Sequence, residues 1–257
     1  MKTAFITGVT EGIGYELVQL FVRDGYHVIL VARNEKKLME MSEKIKASGG
    51  QADYYASDLS QIDNAKSIYE DLQRRQLLPD CVVNNAGFGT SGQYTEIDWQ
   101  KEQEMMQLNM LTLAYFSKKF THDMKKRGYG RLMNVASTAA FESVPYMAAY
   151  GATKAFVLSL SEALAFELKG SGVSVTTLCP GVTESKFHAT AHTINTLQKS
   201  KLLPQATASD VARYGYKAMM KGKTIAVHKL GNRLNILVSR FLPRCIVTKL
   251  AATATTE

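Results

Sequence analysis

The sequence predicts an α/β protein built on one doubly wound parallel sheet with helices on both faces. Three observations carry that expectation. Short apolar runs with β-character alternate with amphipathic helical stretches along most of the chain. The first run ends in a glycine-rich turn that opens a helix, Gly8-Val9-Thr10-Glu11-Gly12-Ile13-Gly14. Alternation this regular implies right-handed crossovers, which set successive strands parallel in one sheet. At 257 residues, 46% apolar and 21% charged, the chain can bury the core of one such domain and has an ordinary globular composition.

The first strand is expected from Lys2 to Thr7. In the turn after it, Gly8, Gly12 and Gly14 permit a tight bend, close backbone approach to a pyrophosphate and close helix packing. The following helix presents free amides and the positive end of its dipole, with Thr10, Glu11 and Ile13 completing the loop's candidate contacts. A second strand, His27 to Ala32, ends in Arg33, where the adenosine ribose of a bound dinucleotide would lie. An acidic residue there would hold a free 2′-hydroxyl, whereas arginine suits a 2′-phosphate, so Arg33, followed by Lys36 and Lys37, argues for NADP. Glu11 faces the same ribose and would repel a phosphate or accept from a hydroxyl, which keeps NAD open.

Gln51 to Ala56 reads as the third strand. Beyond it lie Asp58 and Leu59, where a carboxylate can accept from an adenine amino group or cap the helix that starts near Gln61. Cys81-Val82-Val83 forms the fourth and runs into Asn84-Asn85-Ala86-Gly87. Asparagines here can tie strand ends together, and the small Ala86-Gly87 pair lets a flat cofactor approach the backbone. One long helix is expected from Asp98 to Lys126, with Asn109 as a polar residue in its apolar middle, either a buried hydrogen-bonding device or part of a site. Leu132 to Ala136 is the fifth strand and closes on Ser137. A further helix runs through Tyr150 and Lys154 toward Gly170, then strand six from Val173 to Leu178, closed by Cys179-Pro180-Gly181. The polar stretch from Val182 to Pro204, which includes Thr183, reads as a mobile lid over a cleft. A helix from Ala208 to Met220 and a last strand from Thr224 to Val227 follow.

The chemistry centres on Tyr150 and Lys154, which lie four apart and so on one helical face. An unperturbed tyrosine has a pKa of about 10, so proton exchange near neutrality needs something that favours its anion, and the adjacent cation is the expected cause. Ser137, at the carboxyl end of a strand, would face the same ligand crevice. Three groups can therefore meet at one carbonyl.

The net charge of +8 raises nucleic acid or an anionic surface as partners. Most basic residues are interleaved with acids along helices, which reads as solvated faces rather than a nucleic-acid footprint. Cys81, Cys179 and Cys245 are odd in number and unpaired by spacing, and the amino terminus runs into a strand with no secretory h-region, so a reducing, cytoplasmic setting is expected. His188 and His192 lack a nearby third partner for a metal. From Asn232 to Leu250 the chain changes character: Leu234, Leu237, Val238, Phe241 and Leu242 share one helical stripe beside Arg233, Arg240, Arg244 and Lys249. Packing against the body or a second subunit, covering an apolar substrate, and lying on an anionic membrane all suit such a tail.

With Thr7-Gly8-x-x-x-Gly12-Ile13-Gly14, Asn84-Asn85-Ala86-Gly87, Asn109, Ser137, Tyr150-x-x-x-Lys154 and Pro180-Gly181 in order, the sequence resembles the short-chain dehydrogenase/reductase family from residue 2 to about residue 228. Val83 to Gly89 and Tyr150 to Val157 are similar to its DltE-type branch. The resemblance implies a single Rossmann-type catalytic domain over residues 1–228, with 229–257 as a basic tail, and a homodimer or homotetramer. It implies an Asn109-Ser137-Tyr150-Lys154 tetrad and cofactor contacts from Gly8, Thr10, Glu11, Gly12, Ile13, Gly14, Arg33, Asp58, Leu59, Asn85, Ala86, Gly87, Tyr150, Lys154, Pro180, Gly181 and Thr183. Thr183 and Ser185 stand where the family often has Val and Thr. The expected activity is NADP-dependent interconversion of a small carbonyl compound and its alcohol. Tyr150 donates the proton, Ser137 holds the carbonyl oxygen, Lys154 lowers the tyrosine pKa and reaches the cofactor ribose, and Asn109 holds a water. The alternative is a dinucleotide-sensing protein that keeps the fold without turnover.

Overall fold

Strands buried on both faces need apolar residues at successive positions, and these supply them: Thr3–Thr7 and Cys81–Asn84 are buried throughout. In a computed structural model, residues 1–183 and 206–255 are described. Among them the strands are β1 (Thr3–Thr7), β2 (His27–Ala32), β3 (Ala52–Ala56), β4 (Cys81–Asn84), β5 (Gly130–Val135), β6 (Val173–Cys179) and β7 (Ile225–Val227). They form one sheet in the order β3-β2-β1-β4-β5-β6-β7, every neighbouring pair parallel.

Period-two alternation divides the core. Ala4, Ile6, Val28, Leu30, Cys81, Val83 and Met133 point to one face, where α1 (Gly12–Arg23), α2 (Glu35–Ala47) and α7 (Ala208–Met220) bury Leu17, Phe21, Leu38, Val211 and Met219 against them. Phe5, Ile29, Val31, Val82 and Leu132 point to the other, covered by α3 (Ile62–Arg74), α5 (Leu113–Arg127) and α6 (Ala148–Glu167). Phe5 meets Phe116 edge-on at 5.1 Å and Phe120 at 5.0 Å. β1 has β2 on one side and β4 on the other, so strand order reverses there and a crevice opens past the carboxyl ends of β1 and β4.

The long helix is not uniform. α4 (Trp99–Met106), capped by the Asp98 carboxylate accepting from the Lys101 amide, passes into a π-helical turn over Gln107–Thr112 before α5 resumes. Such a turn often marks a site, and Asn109 sits within it, buried. A buried polar network locks the middle of the sheet to α5 and α6: Asn84 Nδ2 donates to Asn134 Oδ1 (2.9 Å) and Ser117 Oγ (3.2 Å), and Asn134 Nδ2 to Ser161 Oγ (2.9 Å).

The tail forms α8 (Leu230–Ser239) and α9 (Arg244–Thr255). Its apolar stripe does not pack against the body: Leu234, Leu237 and Phe241 are 57%, 52% and 81% exposed. Of the expected alternatives this removes packing of the stripe against the body, and the reason is rotational. Ile236, on the opposite side of α8, is the residue that packs against the core. Ser185, His188, His192 and nearly all of the expected lid lie outside the described residues.

Candidate active site

The glycine turn is built by backbone geometry that other residues would strain. Gly8 and Gly12 hold φ of +70° and +59°, and a Cβ on Gly14 would lie 2.2 Å from the Gly8 carbonyl oxygen. Thr7 is the hub beneath it. Its hydroxyl accepts from the amides of Asn85 (3.0 Å) and Ala86 (2.9 Å), while Asn85 Nδ2 donates to the carbonyls of Thr7 and Gly8, both at 3.0 Å. Asn85 thus fixes the turn from beneath. α1 opens with no side-chain cap from Glu11 and no acidic residue in its first turn, so its amide end suits an anion such as a pyrophosphate.

Around the adenosine end, Arg33 is exposed just past β2 and makes no ion pair among the described residues, and Glu11, Lys36 and Lys37 are also exposed. Asp58 does not cap a helix. Its Oδ1 accepts from the amide (3.0 Å) and hydroxyl (2.9 Å) of Ser60 in a local turn, and α3 starts after Gln61 without a side-chain cap. Leu59 is buried, and its carbonyl accepts from the Thr112 hydroxyl at 2.7 Å, which ties this loop to the π-helical turn.

Ser137, Tyr150, Lys154 and Asn109 come together. Ser137, extended at φ −169°, accepts from the Ala139 amide at 3.1 Å, and its hydroxyl hydrogen bonds to the Tyr150 phenol. Tyr150 and Lys154 are 7% and 5% exposed, with the Lys154 Nζ 5.7 Å from the Tyr150 ring centroid. Nζ donates to the Val135 carbonyl at 3.0 Å. Asn109 is held by both ends: Oδ1 accepts from the Phe88 amide (3.2 Å), and Nδ2 donates to the Phe88 carbonyl (2.9 Å) and the Thr153 hydroxyl (3.1 Å). Gly87 lies between, since a Cβ there would sit 2.8 Å from Asn109 Oδ1 and 3.5 Å from Lys154 Nζ. Its lack of a side chain therefore leaves room for this polar pair beside the backbone.

The electrostatics correct one expectation. Burial pushes the Tyr150 phenol up to about 12, and the group pulling it back is Ser137, not Lys154. Burial also brings Lys154 down to about 8. Spacing placed the two residues on one helical face but could not show that both would be cut off from water. A pH signature follows. Lys154 normally titrates at 10.5, so between pH 8 and 10.5 this residue holds its proton in the unfolded chain and not in the folded one, and its contribution to stability rises with pH in that window. Below it the buried charge opposes folding in full. Above pH 9 the buried thiols of Cys81 and Cys179, pushed up to about 12, act in the opposite sense, so the Lys154 signature is a difference: in urea unfolding the stability of the wild type relative to Lys154→Met is expected to rise by on the order of 3 kcal/mol across the window.

Across the crevice the Thr138 amide donates to the Pro180 carbonyl at 2.8 Å, placing the end of β6 beside Ser137. The Thr183 hydroxyl donates to the Gly181 carbonyl at 2.9 Å and is thereby engaged. A Cβ on Gly181 would meet Asn232 Nδ2 at 2.5 Å, so α8 reaches this loop. Sequence reading passed over Thr7 and Thr153. A hydroxyl at the end of the strand before the glycine turn signalled the first, whereas only the folded packing of α6 on the π-helical turn brings the second to Asn109.

This fold and site define a dinucleotide-type α/β protein with a Ser-Tyr-Lys cluster in its crevice. The chain belongs to the short chain dehydrogenase family, which it matches over residues 2–195. It is 28% identical over 227 residues to "Ketoacyl reductase HetN" of Nostoc sp., covering 88% of this chain and 77% of that one. It is 31% identical over 186 residues to "Probable oxidoreductase EphD" of Mycobacterium tuberculosis, spanning 72% of this chain but only 31% of that longer protein. The structure resembles a short-chain dehydrogenase from Sphingobium yanoikuyae in complex with NADPH, with TM-score 0.83, 25% identity and 93% coverage of each chain. It also shares its fold with a short chain dehydrogenase/reductase from Burkholderia phymatum in complex with NAD, with TM-score 0.82 at 20% identity, covering 100% of this chain and 97% of that one.

Proposed function

We propose that the protein reduces a small carbonyl compound, or oxidises the corresponding alcohol, with NADP(H) as its redox partner. The observation that carries this reading is the convergence of the Ser137 hydroxyl, just past β5, on the Tyr150 phenol, with Lys154 near the phenol and both Lys154 and Asn109 close to Gly87, just past β4. The uncapped start of α1 behind a glycine turn suits the pyrophosphate, and Arg33 the 2′-phosphate. Asp58, Leu59, Ala86, Pro180, Gly181 and Thr183 would line the rest. When bound, the dinucleotide supplies the hydride.

The chain's own residues do the acid–base work. With a pKa near 12 in the free protein, Tyr150 is fully protonated at neutrality, which suits an acid that protonates a developing alkoxide. Ser137 lies at the same oxygen position and stabilises the charge that builds there. Lys154, charged below its lowered pKa, would reach the ribose of the bound dinucleotide, and Asn109 anchors the loop at Phe88 and is the candidate holder of a water for returning the proton. The stretches Val83 to Gly89 and Tyr150 to Val157 support a place in the DltE-type branch. Exposed Leu111 in the π-helical turn and Phe156 and Phe166 on α6 support a homodimer or homotetramer, and the setting we propose is cytoplasmic.

Consumption of NADPH across a panel of aldehydes and ketones tests the activity. Dinucleotide binding without turnover of any member would favour the sensing alternative. For cofactor choice, Arg33→Ala is expected to weaken NADP binding by roughly 10- to 100-fold, the value of a charge-assisted hydrogen bond, and to leave NAD binding within about twofold. Thermal-shift titrations with both dinucleotides read the difference. Equal losses for NADP and NAD would remove Arg33 from the 2′-phosphate.

A further inference from the structure

We propose that α8 and α9 form a docking face for an anionic phospholipid surface. Leu230, Leu234, Leu237, Val238 and Phe241 are 77%, 57%, 52%, 48% and 81% exposed. At 3.6 residues per turn they fall within an arc of about 100°. Ile236, on the far side of α8, packs against the cluster of Val157, Leu158, Cys179 and Val227. α9 repeats the division, with Val247 and Ala251 buried and Ile246 and Leu250 43% and 58% exposed. Both helices are therefore fixed to the body by one side and hold an apolar side toward solvent.

Charge identifies what that side meets. Residues 211–256 contain nine Lys and Arg and no Asp or Glu, while the rest of the chain has 22 basic residues against 23 acidic ones. Four of these nine, Arg233, Arg240, Arg244 and Lys249, lie within residues 230–256, which carry the apolar stripe and hold no acid, so half of the protein's net charge of +8 sits in the two tail helices. Arg240, Arg244 and Lys249 are exposed beside it. A second copy docking here about a two-fold axis would set this all-basic segment against itself, with no acid to answer it. A sheet of anionic headgroups over acyl chains answers both features: apolar side chains enter the interface and the cations pair with phosphates. The described residues contain no helix long and apolar enough to cross a membrane, so the contact lies along the surface.

Co-sedimentation of the full chain with phosphatidylcholine vesicles, with and without about one third phosphatidylglycerol, tests the proposal and reads no turnover. At least tenfold stronger partition onto the anionic vesicles is expected, reversed by about 0.5 M salt, at which charge interactions are screened within a few ångströms. Leu237→Gln/Phe241→Gln and, separately, Arg240→Glu/Arg244→Glu should each lower partition at least tenfold with an unchanged thermal transition. Equal partition onto both vesicle types, or none, overturns the proposal. So does a dimer in size-exclusion chromatography that the first double variant dissolves, because a second copy would then cover the stripe.

Discussion

Tyr150→Phe is expected to lower the reductive turnover number by about 10³-fold or more, the upper part of the range for a positioned general acid, while leaving dinucleotide affinity within about twofold. The substitution removes one oxygen from a buried ring that packs with Met105 and Met147, so the fold has little to lose. Its main structural cost is one hydrogen-bond partner for Ser137, about 1 kcal/mol. A loss confined to turnover, with a normal thermal shift on adding NADP, is the expected pattern. A Phe variant that still turns over would remove the phenol from the role of acid and leave Ser137 or water to protonate the product.

The second large effect is structural in origin and functional in consequence. Gly14→Ala places a methyl 2.2 Å from the Gly8 carbonyl and 2.5 Å from Asn85 Nδ2. The first contact is backbone, and Asn85 is itself bonded to the Thr7 and Gly8 carbonyls, so neither neighbour can yield without opening the turn. We expect a loss of about 3 kcal/mol or more, seen as a fall of roughly 6–12 °C in Tm, together with loss of dinucleotide binding. Gly25→Ala is the control. That glycine also has positive φ, at +76°, but an added Cβ would meet nothing within 4 Å, so only the conformational cost of about 1 kcal/mol applies. If both alanine variants bound NADP equally, close packing at Gly14 would not be what forms the phosphate site.

What the sequence made legible was whatever depends on short spacing. The apolar runs located the strands within a few residues, and the glycine turn, the Asn84-Asn85 pair, Ser137 and the Tyr150–Lys154 spacing marked the crevice because each acts with near neighbours in the chain or at a strand end. What was not legible depends on distant packing. The acidity of Tyr150 was misjudged because burial by Met105, Met147 and the Phe88 loop outweighs a nearby cation, and nothing in a four-residue spacing reports burial. The π-helical turn has no sequence signature apart from a polar Asn109 among apolar neighbours. That Asp58 Oδ1 accepts from the Ser60 amide and hydroxyl instead of capping a helix depends on local backbone geometry that the residue types leave open. In α8 the apolar periodicity was legible and its direction was left open, since periodicity identifies a stripe without saying whether the body or the solvent lies beneath it.

The central claim is that Tyr150 and Ser137 serve a carbonyl placed beside a bound nicotinamide. The most direct test incubates the wild-type protein with a ketone it reduces and NADPH bearing deuterium at C4 of the nicotinamide on one face at a time, then measures the alcohol by mass spectrometry. Label from one face only should appear at the carbinol carbon, in one enantiomer, with Tyr150→Phe giving no labelled product above background. Label absent from that carbon, or delivered equally from both faces, would mean that the carbonyl does not sit in this crevice, and the assignment of its residues would fall with it.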